Sequence, residues 1–90
     1  DLEDHVIIAG FGRVGRTVGR LLAERRVPYV ALDMNAEGVS RLHRAGLPVF
    51  LGDARRPEVL DAVRSGRASS LVVTLDDPQA ARQVLEAAHH

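Results

Sequence analysis

The stretch His5-Val-Ile-Ile-Ala-Gly-Phe-Gly-Arg-Val-Gly15 decides how the rest of the chain is read. His5 to Ala9 is rich in β-branched residues and stops at a glycine, which predicts a short buried strand. Gly10, Gly12 and Gly15 form a G-x-G-x-x-G. Arg13 to about Arg25 predicts a helix, with Val14, Val18, Leu21 and Leu22 as its apolar stripe and Arg16, Arg20 and Glu24 on the wetter side. The glycine string alone is weak evidence, but between a strand and a helix it stands in the context that phosphate binding requires. Gly10 would allow the tight turn, Gly12 the approach of a pyrophosphate to the backbone, and Gly15 close packing of helix on strand. Gly19, one turn further on, extends that packing face. The helix start then offers free N–H groups and a partial positive charge to an anion.

Working outward, short apolar runs alternate with amphipathic stretches. Tyr29 to Leu32 predicts a second strand, and Asp33 to Asn35 a turn that carries a helix cap. Ala36 to about Ala45 is the second helix, with Val39 and Leu42 inward and Gly46 as its stop. Pro48 to Leu51 is a third strand, and Gly52-Asp53-Ala54 a loop. Pro57 fits the first position of a helix running to about Arg64, with Val59, Leu60 and Val63 as its apolar face. Ser70 to Thr74 is a fourth strand, and Asp77 caps a last helix that starts at Pro78. Strands separated by helices are parallel, with right-handed crossovers, and their near-continuous apolar character fits coverage on both faces. The expected fold is α/β: a Rossmann-like open parallel sheet in the order 3-2-1-4, with helices on both faces.

Composition narrows the chemistry. Ninety residues make one small domain with a limited core, so modest stability or help from a ligand or partner is expected. The twelve cationic side chains are all arginine, which excludes any lysine Schiff base or lysine general base. Cysteine is absent, and with it disulfides, thiolate nucleophiles and cysteine metal sites. The formal net charge is zero, so neither nucleic acid nor an anionic membrane is favoured as a partner. No apolar run approaches the ~18 residues of a membrane span, so the chain itself reads as soluble. His5 and His43 lack metal-ligand spacing and read as ordinary, and His89 and His90 carry no metal-site reading.

The candidate site residues lie at the carboxyl ends of the strands, where open α/β sheets bind ligands. Asp33 closes the second strand eighteen positions after Gly15, with Met34 beside it. A carboxylate there accepts hydrogen bonds from an adenosine ribose and repels a 2′-phosphate, which favours NAD, NADH or an adenine nucleotide over NADP. The alternative is that Asp33 only caps the next helix. Asp53 and Ala54 occupy the loop after the third strand, and Asp53 is either a turn residue or a nucleotide contact. Leu75 and Asp76 occupy the loop after the fourth. Phe11, Arg13 and Val14 belong to the glycine turn itself. Arg13 either pairs with a phosphate or a second anionic ligand, or is a solvated helix residue.

Taken together, the segments from Val6 to Gly15, Leu32-Asp33, Val49-Phe-Leu-Gly-Asp-Ala54 and Asp76-Asp-Pro-Gln79 resemble the N-terminal lobe of RCK domains, also called TrkA N-terminal or KTN domains. The chain most resembles the cytosolic domain of Kef-type glutathione-regulated potassium efflux antiporters. The resemblance covers nearly all of residues 1–90 as a single lobe. It implies a non-catalytic sensor that binds NAD(H) or AMP and biases a membrane transport domain of the same protein, at the cytoplasmic face of the inner membrane. By position, Gly10, Gly12 and Gly15 would hold phosphate, Asp33 the ribose, and Asp53 with Ala54 the adenosine side. Arg13 matches an arginine of the Kef-type site for glutathione and its adducts. Two departures stand out: Arg55 replaces a frequent threonine, and the family lobe usually continues past the fourth helix. The chain therefore reads as a truncated lobe whose fourth strand is an open apolar edge, and a homodimer or higher self-association is expected through it.

Two other functions compete. A fragment of an NAD-dependent dehydrogenase is allowed by the fold, although no histidine, tyrosine or lysine is poised as a proton donor. An interaction module with an empty nucleotide site is the other.

Overall fold

A computed structural model describes residues 2–89. Four strands, β1 (Val6–Ala9), β2 (Tyr29–Asp33), β3 (Val49–Leu51) and β4 (Ser70–Val73), form one sheet in the order β3-β2-β1-β4. Every neighbouring pair is parallel, with Ile7 opposite Val30 and Leu71, and Leu32 opposite Phe50. Three α-helices connect them, α1 (Arg13–Glu24), α2 (Ala36–Arg44) and α3 (Pro57–Ala62), and a fourth, α4 (Pro78–Ala88), follows β4. The fold expected from the sequence is the fold observed. Both edge strands, β3 and β4, pair on one side only.

Alternation along the strands splits the core in two. Ile7, Ala9, Val30 and Leu32 face Leu60, Val63 and Val84, so α3 and α4 cover that side. Val6, Ile8, Ala31 and Val49 face Val18, Leu22, Val39 and Leu42, so α1 and α2 cover the other. β1 is buried along its whole length, as a central parallel strand should be.

The helix ends follow local chemistry. Asn35 caps α2 through its side-chain oxygen, which accepts from the Gly38 N–H at 2.9 Å, and Asp77 caps α4 by accepting from Gln79 N–H at 3.0 Å. Pro57 and Pro78 open their helices, and Gly46, at φ +92°, follows the end of α2.

Three expectations need correction. Val14 and Leu21 do not belong to the inward stripe of α1; they are 60% and 47% exposed. The buried face is Gly15, Val18, Gly19 and Leu22, because the helix approaches the sheet through its glycines and turns the flanking apolar residues outward. The third helix stops at Ala62, not near Arg64. Val63 ends it, Arg64 takes a left-handed conformation at φ 57°, and a 3₁₀ turn over Ser65–Arg67 leads into β4. His5, which reads as ordinary in the sequence, has a structural role. It is fully buried, and its Nε2 lies 2.8 Å from the Val63 carbonyl oxygen. His90 lies outside the described residues.

Candidate nucleotide site

The strands' carboxyl ends meet at the glycine turn. Gly10 has φ +100°, a conformation suited to glycine. Its N–H donates to the Leu32 carbonyl at 2.8 Å, and its carbonyl accepts from the Thr74 hydroxyl at 2.7 Å. A Cβ on Gly15 would run into the Gly10 carbonyl, so the helix sits on the turn as closely as backbone allows. A Cβ on Gly19 would come within 3.1 Å of Phe11 and Tyr29, whose rings stack at 6.3 Å beneath the helix. Gly12 is different. It caps α1 with an extended backbone, and a Cβ there would meet nothing within 4 Å. Its open side faces solvent, and the packing does not require a glycine there.

The helix itself first uses the N–H of Arg16, which donates to Gly12 O at 2.9 Å. The N–H groups of Arg13, Val14 and Gly15 precede it and form the unpaired helix start that favours an anion. Arg13 and Val14 are exposed at this mouth, and Arg13 forms no ion pair among the described residues.

Asp33 occupies the centre of this edge. Its Oδ2 accepts from the Phe11 N–H at 2.7 Å, and its Oδ1 from the Asn35 N–H at 2.9 Å. The carboxylate therefore ties the end of β2 to the glycine turn. The cap of α2 is Asn35, so capping is not what Asp33 is for. Each carboxylate oxygen retains a second lone-pair direction for an incoming hydroxyl.

A cavity of about 220 Å³ opens beside it, lined in part by Gly10, Asp33, Met34, Asp53, Ala54 and Leu75. Six of the eleven sequence-predicted site residues thus share one cleft. Phe11 and Gly12 line a neighbouring cleft on the other side of Asp33, and Arg13, Val14 and Gly15 line neither. Asp53 has a partner the sequence reading did not give it. Arg55 grips its carboxylate with Nε at 2.9 Å and a terminal nitrogen at 2.8 Å, and the Arg55 N–H adds a bond at 3.0 Å. The side-chain hydrogen bonds from Arg55 hold the Asp53 carboxyl below the usual carboxylate range.

Sequence reasoning missed Thr74 and Arg55. Thr74 ends the fourth predicted strand at the ligand edge, and a hydroxyl there was the available signal. An aspartate two residues before an arginine signals the local ion pair. Among the described residues no cluster of three or more potential ligands holds a metal site, and no helix is long and apolar enough to cross a membrane.

Comparison with known proteins places this geometry. The TrkA-N domain family matches residues 6–90. The chain is 49% identical over 80 residues to K(+) efflux antiporter 1, chloroplastic, of Arabidopsis thaliana, covering 89% of the chain and 7% of that protein. It is 42% identical over 84 residues to the glutathione-regulated potassium-efflux system protein KefC of Cronobacter sakazakii, covering 93% of the chain and 14% of that protein. The chain thus spans a small part of these relatives. Among solved structures, it resembles the TrkA-N domain of the inner membrane protein YbaL from Escherichia coli with a TM-score of 0.90 and 26% identity, over 99% of this chain and 66% of that one. The Shewanella denitrificans Kef CTD in AMP-bound form matches with a TM-score of 0.74 and 34% identity, over 94% and 50%. The GsuK channel bound to NAD matches with a TM-score of 0.87 and 26% identity, over 99% and 16%. With the glycine turn, the sheet order and nearly the whole length in agreement, the chain belongs to the TrkA-N domain family.

Proposed function

We propose that this chain is the nucleotide-sensing lobe of a potassium efflux or cation–proton antiport system, binding NAD(H) or AMP and regulating transport without catalysing a reaction. The observation that carries the reading is the position of Asp33, whose carboxylate borders the cleft while its orientation is held by the glycine turn. In this reading the N–H groups at the start of α1, from Gly12, Arg13 and Val14 to Gly15, cradle phosphate, while Gly10 and Phe11, whose N–H groups are bonded to Leu32 O and Asp33 Oδ2, shape the turn beneath it. Asp33 accepts the ribose hydroxyls, and Met34, Asp53, Ala54 and Leu75 form the adenosine wall. The Asp53 carboxylate is engaged by Arg55, so its share is contact and not charge. Relatives named as potassium efflux proteins and solved relatives carrying AMP or NAD support the ligand class.

The lobe would act as one domain of a longer membrane protein, on the cytoplasmic face, by coupling its ligand state to the transport domain. Arg13 would contribute to a site for glutathione or its adducts in the full-length protein. A second copy is the expected partner through the outer edge of β4, which pairs only with β1; a strictly monomeric chain in concentrated sedimentation runs would refute that.

Isothermal titration of the chain with NADH, NAD, NADP, AMP and ATP, beside Asp33→Ala, tests the nucleotide reading. Binding of NADH, NAD or AMP weakened about tenfold or more by the substitution is expected, a loss of about 1.4 kcal/mol. Equal affinity in a folded Asp33→Ala chain would overturn the ribose assignment. Hydride transfer to candidate substrates would overturn the sensor reading.

A further inference from the structure

The nucleotide reading leaves a second cleft unused. It has a volume of about 300 Å³ and opens between α1 and α2, across Asp33 from the adenosine cavity. Gly12 and Arg16 line it from α1, and Asn35, Gly38 and Arg41 from α2. The spacing explains the arrangement: Gly12 and Arg16 are four apart, and Asn35, Gly38 and Arg41 three apart, so each set shares a helix face.

Charge and space both point to an anion. Neither Arg16 nor Arg41 forms an ion pair among the described residues, whereas Arg55, Arg56 and Arg67 do. Asp33 is the acid that lines this cleft, and both its oxygens already accept backbone N–H groups. The guanidinium of Arg16 is drawn back toward the turn, its Nε donating to Gly12 O at 3.3 Å, which leaves its terminal nitrogens for a ligand. At Gly12 a Cβ would meet nothing, and at Gly38 only the Asn35 side chain at ordinary contact distance. Two unpaired planar forks on the rim of a cleft that is left open at Gly12 suit a phosphate oxygen set better than a single carboxylate.

We propose that the cleft between α1 and α2 is a phosphate subsite held by Arg16 and Arg41. Its ligand is a phosphate group, brought either as the 2′-phosphate of a nucleotide whose ribose sits at Asp33 or as free phosphate. The first source rests on the nucleotide reading; the second does not. The subsite also revises the expectation that Asp33 alone sets the preference against NADP, because two arginines behind that carboxylate offset its repulsion of a 2′-phosphate.

The test compares the chain with an Arg16→Gln/Arg41→Gln variant and with Arg20→Gln, a control that removes an exposed charge of α1 outside the cleft. Each is checked for folding by thermal unfolding, then titrated with inorganic phosphate, NADH and NADPH. Phosphate binding that falls about tenfold in the double variant and stays within about twofold in the control is expected, with NADH affinity unchanged. An NADPH-to-NADH affinity ratio that falls about tenfold in the double variant identifies the nucleotide as the source. An unchanged ratio with arginine-dependent phosphate binding identifies free phosphate. If no nucleotide binds but phosphate does, and depends on the arginines, the nucleotide reading fails and the subsite stands. If neither phosphate nor NADPH distinguishes the double variant from the parent, the subsite is overturned.

Discussion

The two ends of the sheet are built for opposite purposes. At the carboxyl end, Gly10, Asp33 and Leu75 line an open cleft, Thr74 braces Gly10 through its hydroxyl, and the first backbone N–H groups of α1 have no partner within their helix. At the amino end the strands are stitched shut. His5 is fully buried and bonded through Nε2 to the Val63 carbonyl, and its own carbonyl accepts from the Ser69 N–H at 2.8 Å and the Ser69 hydroxyl at 3.2 Å. The Val6 N–H donates to Pro28 O and the Asp4 N–H to Arg67 O. The amino end pairs its polar groups internally, His5 Nδ1 being the buried exception, and so contributes stability. The carboxyl end leaves polar groups and space available, and these are what the proposed nucleotide reading uses.

The sharpest way to break that division lies inside the glycine turn. The packing requires a glycine at Gly15 and not at Gly12, which on the proposed reading serves the ligand. Gly15→Val should cost about 3 kcal/mol or more in urea unfolding, because the added carbons meet the Gly10 carbonyl. Gly12→Ala should change stability by less than about 1 kcal/mol, since it replaces a cap glycine with open space around it, yet weaken nucleotide binding about tenfold. Equal stabilities for the two variants would erase the distinction.

His5→Ala probes the opposite end. It removes a fully buried ring and leaves the Val63 carbonyl without its donor, which should cost about 2–3 kcal/mol. Nucleotide affinity of the folded fraction should not move. A large loss of affinity at unchanged stability would show that the two ends are coupled.

The smallest effect is expected at the rim. Asp53 is held below the usual carboxylate range by Arg55, so its contribution to stability is present at neutral pH and is lost as pH falls through the depressed value. Arg55→Ala should return the Asp53 carboxyl toward its ordinary titration range, read by NMR, and flatten the acid limb of the stability curve. The pair is exposed to solvent, so the unfolding midpoint at neutral pH should scarcely shift. A full-sized midpoint shift there would place the rim among the stabilising elements.

How much of this was legible in the sequence differs between the same two ends. The glycine turn announces itself because three constraints fall within six residues; the alternation of strands with helices makes the sheet parallel, and its order follows from the Rossmann-like pattern that the turn marks. The amino-end clasp does not, because His5 and Val63 are 58 positions apart and the histidine's partner is a carbonyl, which carries no residue signature. The Thr74 hydroxyl on Gly10 spans 64 positions and was hidden for the same reason. Val14 and Leu21 misled through their hydrophobicity. A helix that packs on glycine buries residues that score as nothing on an apolar pattern, and the stripe was drawn one residue to the side. The left-handed position falls on Arg64, where no glycine or asparagine marks it, and Gly66 sits two residues later inside the 3₁₀ turn.

The double anchoring of Asp33 has a kinetic and entropic side. A surface carboxylate ordinarily samples several rotamers and must be frozen when a ligand arrives, at about 0.5–1.5 kcal/mol per side chain. Here the Phe11 and Asn35 N–H groups have fixed that rotamer in advance. On the proposed reading, a ribose docking at this edge would meet an acid already in place, so recognition there would need no search by the protein, and the rigidity of the empty turn would become part of the affinity of the filled one.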